Sequence, residues 1–111
     1  MTFTQSLKSN RDFQKIFKNG KSKANKYFVM YVANNEKNIN RLGISVSKKV
    51  GNSVVRHYIK RCIKEAYRLH ENMFNSGLDI VVIARQGASD ISYHEIESAI
   101  LHLMRINKVF L

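Results

Sequence analysis

The sequence predicts an α+β fold in which helices pack on a small sheet. Three features point there: apolar residues at helical spacing in three separated segments, short β-branched runs between them, and 44% hydrophobic residues in a chain of 111. That composition supplies a real core rather than general disorder. Length indicates one domain over residues 1–111, and no proline, repeat or low-complexity run offers a linker.

Ser9 or Asn10 can cap a first short helix with Phe13, Ile16 and Phe17 on its apolar face, and Gly20 is placed to end it. Residues 27–33, aromatic and β-branched, read as a strand. Leu42, Ile44 and Val46 alternate with Gly43, Ser45 and Ser47, the pattern of a half-buried strand. Residues 34–40 between these runs are polar and neutral, which suits a hairpin loop. Gly51, Asn52 and Ser53 open a long helix that reaches about Asn72. The continuous apolar run at 80–84, after Gly77, reads as a buried strand. Ser92 and Glu95 form a capping box for a last helix, and Ile91 can staple to Ile96. The core face of that helix is Ile96, Ala99, Ile100, Leu103 and Met104.

The net charge of +11 is unevenly placed. Residues 8–26 hold seven basic side chains and one acid, residues 41–68 hold eight and one, and residues 69–111 hold three against five. Self-repulsion of that size opposes folding unless a polyanion is the normal partner. Nucleic acid and an anionic membrane are the candidates, with a merely solvated basic surface as the plain alternative. No apolar run approaches the ~20 residues that span a bilayer, and the first residues lack a secretory pattern. The single cysteine, Cys62, cannot close an internal disulfide. A cytoplasmic protein is expected.

The central helix carries the main signal. At about 100° per residue, Arg56, Lys60, Lys64, His57, Arg68 and Arg61 fall within roughly 140° of one another. Tyr58, Leu69, Cys62, Val55, Ala66, Ile59 and Ile63 fill the opposite arc. An ordinary surface helix alternates Lys with Glu four apart, but here only Glu65 interrupts the cations. Lys48 and Lys49 lie just upstream, and a helix N-terminus with free N–H groups attracts phosphate. The apolar arc is needed for the core, which argues against membrane docking.

Phe13 and Phe17 lie four apart on one helical face, Tyr31 lies on a strand that can face them, and Lys15, Lys18, Lys21, Lys23 and Lys26 surround both segments. Aromatic platforms beside cations hold single-stranded nucleic acid; plain core packing is the alternative reading. Asp12, Asp79 and Asp90 are scattered, and neither His94 with His102 nor His57 with Cys62 has zinc-site spacing. No catalytic or metal-binding residue is expected in the chain.

The stretch from Ser45 to Lys64 (SVSKKVGNSVVRHYIKRCIK) closely resembles the signature of the bacterial ribonuclease P protein component. Residues 12–20 (DFQKIFKNG), Ser22, Ala24, Asn25, the run 28–31, the run 80–85 and the last helix are similar to that family in the same order. The family's usual Arg-Asn-Arg is Arg56-His57-Tyr58 here, and its usual Ala is Ser53.

The resemblance implies a fold like the second domain of ribosomal protein S5, with helices on a four-stranded sheet and a left-handed β-α-β crossover. It implies a protein subunit of an endoribonuclease that removes the 5′ leader from precursor tRNA, with Mg²⁺ held mainly by the catalytic RNA subunit and none by the protein alone. The partners expected are that RNA and precursor tRNA, with no membrane and no protein partner. Lys48, Lys49, Arg56, His57, Lys60, Arg61, Lys64 and Arg68 would contact the RNA subunit, and Phe13, Phe17 and Tyr31 would line the leader cleft. A non-enzymatic RNA-binding protein of ribosomal type is the alternative.

Overall fold

The computed structural model describes residues 4–110. Its centre is the strand that is most apolar on both faces. In chain order the elements are β1 (Thr4–Ser6), α1 (Asn10–Asn19), β2 (Lys21–Ala24), β3 (Phe28–Asn34), β4 (Asn40–Ser45), α2 (Ser53–His70), β5 (Leu78–Ala84) and α3 (Tyr93–Ile106), with short 3-10 turns at Glu71–Met73 and Gln86–Asp90. The sheet order is β1-β4-β5-β3-β2. β5 is nearly all buried and carries apolar residues on both faces, so it takes the middle position.

Two expectations are corrected. Among the described residues the sheet has five strands, not four. The edge strands β1 and β2 are short and read TQS and KSKA, with no apolar alternation to announce them. Residues 34–40 do not close a hairpin, because β3 pairs antiparallel with β5 and β4 pairs parallel with β5. The intervening strand satisfies the backbone groups of both neighbours. β4 and β5, parallel and adjacent, are joined through α2, which gives the expected β-α-β unit.

The caps follow the local sequence. Ser9 caps α1, Asn52 caps α2 through its side-chain oxygen to Val55 N–H at 3.0 Å, and Ser92 with Glu95 forms the capping box of α3. Gly20 ends α1 in extended backbone; a Cβ there would meet the Ile16 carbonyl oxygen at 2.7 Å. α2 stops at His70 and passes into the 3-10 turn.

The sheet buries two clusters on opposite faces. α2 and α3 cover one face, with Phe28, Met30, Leu42, Ile80 and Val82 beneath Ile59, Ile63, Ile96, Ile100 and Leu103. α1 covers part of the other, with Ile16 and Leu7 against Val81. On that second face Arg41 reaches Asp79 through two hydrogen bonds of 2.7 and 2.6 Å and lies 3.5 Å from Asp12 of α1. Asn35 donates to the same Asp79 carboxylate at 2.9 Å. Burial alone would push Asp79 up, but the hydrogen bonds from Arg41 and Asn35 and the Arg41 charge outweigh it. The carboxyl is held below its ordinary range.

Candidate nucleic-acid interface

α2 meets the sheet through Ile59, Cys62, Ile63, Ala66 and Tyr67. The buried arc is therefore rotated by about 40° from the expected one at ~100° per residue. Tyr58 and Leu69, expected in the core, are 38% and 49% exposed. Tyr67, on the cationic edge of the wheel, is fully buried. The cause is tertiary: the Tyr67 ring packs 5.0 Å from Phe74, and its hydroxyl lies 2.7 Å from Thr4 Oγ1 of β1. Thr4 sits on the short edge strand β1 and Phe74 just past the 3-10 turn, and neither segment leaves a pattern in the sequence.

The rotation sorts the cations. His57, Arg61, Lys64 and Arg68 are exposed, whereas Arg56 and Lys60 are half-buried. Lys60 and Lys64 border a small groove with Lys8, Ser6 and Ile44 at the β1 edge of the sheet. The buried Nε of Arg56 meets no acceptor among the described residues. Arg68 is engaged by Glu65 one turn back, which raises the pKa of the guanidinium through that hydrogen bond and lowers that of Glu65. Such an exposed pair is weak, and a polyanion can displace it. Lys48 and Lys49 stand exposed in the turn before α2. Tyr58 lines a shallow cavity with Ser53, Val54, His57 and Arg61, so the side chain that departs from the family pattern borders the cations rather than the core.

The aromatic group assembles on the opposite face of the sheet. The rings of Phe13 and Phe17 are stacked at 6.3 Å, and Phe17 meets Tyr31 edge-on at 5.0 Å. All three are half-buried and rest on Leu7, Ile16 and Val81. The strand register explains the shape. Tyr31, Val81 and Gly43 form one row across β3, β5 and β4, and Val29, Ile83 and Ser45 form the next. Phe13 lies directly over Gly43, where a Cβ would clash with the ring. α1 is ten residues long and packs on the row of Tyr31 and Val81. The row of Val29, Ile83 and Ser45 extends the surface as a floor that sequence reasoning missed. Only the pairing register reveals it.

Gly43→Val is expected to displace Phe13 while leaving α2 in place. A single-stranded oligonucleotide that stacks on these rings should then bind several-fold more weakly. Titration of wild type and variant with such an oligonucleotide checks this.

No helix among the described residues is long and apolar enough to cross a membrane. Nor do any three His, Cys, Asp or Glu side chains come together there to hold a metal ion. The arrangement offers cation and aromatic contacts.

Comparison with known proteins fits this picture. The model of the family described as Ribonuclease P matches residues 1–108. The chain is 59% identical over 106 residues to the ribonuclease P protein component of Lachnoclostridium phytofermentans, covering 96% of this chain and 91% of that one. It is 49% identical to that of Alkaliphilus metalliredigens, covering 98% of each. Among solved structures it is similar to the Staphylococcus aureus RNase P protein, with a TM-score of 0.90, 48% identity and coverage of 96% and 97%. The RNase P protein of Thermotoga maritima gives a TM-score of 0.83 at 36% identity, with coverage of 91% and 96%.

Proposed function

The chain belongs to the bacterial ribonuclease P protein family, the protein subunit of the endoribonuclease that removes the 5′ leader from precursor tRNA, and from that premise we propose how its surfaces divide the work. The exposed cations of α2, with Lys48 and Lys49 before it, dock on the catalytic RNA subunit. The rings of Phe13, Phe17 and Tyr31 take the single-stranded leader of precursor tRNA. One observation carries this reading: the two surfaces lie on opposite faces of one sheet, so both RNAs can be held at once. The ribosomal-type alternative gives way to the family assignment.

At the α2 surface the contacts are electrostatic. Arg56, His57, Lys60, Arg61, Lys64 and Arg68 present charge and donors along one side of a rigid rod, and phosphates bound there release counterions. At the aromatic surface the contacts are stacking, which tolerates any leader sequence because every base has a π-face. The chain supplies no nucleophile, acid or base to the cleavage. In the holoenzyme, Mg²⁺ held mainly by the RNA subunit would supply the hydrolytic chemistry. The working compartment is the cytoplasm.

The test is reconstitution. A bacterial ribonuclease P RNA at low Mg²⁺ should cleave precursor tRNA only when this protein is added. Absence of stimulation would overturn the reading.

A further inference from the structure

A second RNA-facing feature lies around the sheet edge from the aromatic cleft. A cavity of about 560 Å³ opens where the end of α1, the edge strand β2 and the end of α3 meet. Lys21, Lys23 and Lys108 line it, with Asn19, Asn34 and Ile106, and among the described residues no acid does. None of the three lysines has an ion-pair partner among the described residues.

The sheet register fixes its position. Lys21 and Lys23 pair with Val32 and Met30, which belong to the α3 side. Their neighbour Ser22 pairs with Tyr31 of the aromatic group on the other side. The cavity and the cleft are therefore separated by the single edge strand β2, about 4.8 Å wide. Among the described residues β2 is an edge strand, so its outer side is not covered by a further strand.

Lys108 adds an independent observation. It follows the C-cap of α3 with φ 58°, a left-handed conformation that normally selects glycine. The bond from Val109 N–H to the Met104 carbonyl, at 2.9 Å, closes the turn. A lysine here accepts backbone strain and contributes to the cavity lining. Offsetting the negative end of α3 explains one cation at this place, and blunting an edge strand explains lysines on β2. Neither explains why all three line one cavity to which no described acid contributes.

We propose that this cavity is a phosphodiester subsite for single-stranded RNA, taking the part of the precursor leader that continues past Phe17 and Tyr31 around the β2 edge. The proposal rests on the leader-cleft reading above. The experiment compares holoenzyme affinity for precursor tRNAs with a short leader, which ends in the cleft, and a long one. Lys21→Gln with Lys23→Gln should weaken binding of the long-leader substrate alone and bring it toward the short-leader value. The salt slope for the long leader should drop by about 0.7 for each phosphate the cavity no longer neutralises. Lys108→Gly should weaken the same substrate without lowering the melting temperature, since glycine fits the left-handed turn. Equal weakening of both substrates, no weakening, or weakening confined to the RNA subunit would each overturn the proposal. Phe17→Leu serves as the reference: its failure to affect the short leader refutes the cleft, whereas the lysine variants read the cavity.

Discussion

Replacing Lys60 and Lys64 by Glu is expected to lower affinity for the RNA subunit by about two orders of magnitude at low salt. Two attractive charges become repulsive, and like-charge contacts at an interface cost several kcal/mol. The salt dependence should change with it, the slope of log affinity against log salt falling by about 0.7–0.9 for each phosphate no longer neutralised. The fold should survive. Lys64 is exposed, and Lys60 is half-buried beside Lys8, which offers a glutamate a partner. A gradient of salt concentrations with wild-type and variant protein gives both quantities. An unchanged slope in a folded variant would remove this helix from the RNA interface.

Arg41→Met is expected to cost about 3–5 kcal/mol, the range for breaking a buried pair by removing one member. Asp79 is 5% exposed and would keep only the Asn35 amide as a hydrogen-bond donor. The melting temperature should fall by roughly 10–20 °C. The pH dependence gives a sharper signature. In the wild type the Asp79 carboxyl lies below its ordinary value. Its contribution is thus complete above the unfolded carboxylate pKa of about 3.9 and is lost as pH falls toward the folded value. Without Arg41 the burial penalty, the largest single influence, is opposed only by the Asn35 amide and the Lys37 charge, and the folded carboxyl is expected to move above the unfolded one. The deficit of the variant should therefore shrink as pH falls from 7 to 4, which paired thermal melts would show. A deficit constant with pH would mean that Arg41 acts by packing alone.

Much of this architecture is legible in the sequence, and the omissions share a physical cause. α3 is readable because Ser92, Glu95 and a five-residue apolar stripe are all local signals. β5 is readable from an apolar run buried on both faces. β1 and β2 are not, because edge strands of three and four mostly exposed residues need only backbone partners. The separation of β3 from β4 is hidden for a related reason: a neutral loop of hairpin length says nothing about a later strand inserting between them. At the interface, the clustering of Phe13, Phe17 and Tyr31 follows from spacing, but Gly43 beneath Phe13 does not. The wheel locates the cations of α2 yet errs by about 40° in its buried arc. Thr4 and Phe74, which turn Tyr67 inward, lie 63 residues before and seven residues after it.

The central claim, that two faces of one sheet hold two RNAs, is tested most directly by measuring affinity for the RNA subunit, precursor tRNA and mature tRNA with two variants side by side. Phe17→Leu keeps apolar volume under α1 but removes a ring worth about 1–3 kcal/mol per stacked base. Its holoenzyme is expected to lose about 5- to 150-fold of the preference for precursor over mature tRNA, with assembly unchanged. Lys60→Glu with Lys64→Glu should do the reverse, losing assembly while any holoenzyme formed at high protein concentration keeps its preference. A folded Phe17→Leu variant that retains the full precursor preference, or one that loses the RNA subunit instead, would contradict the division of the two faces.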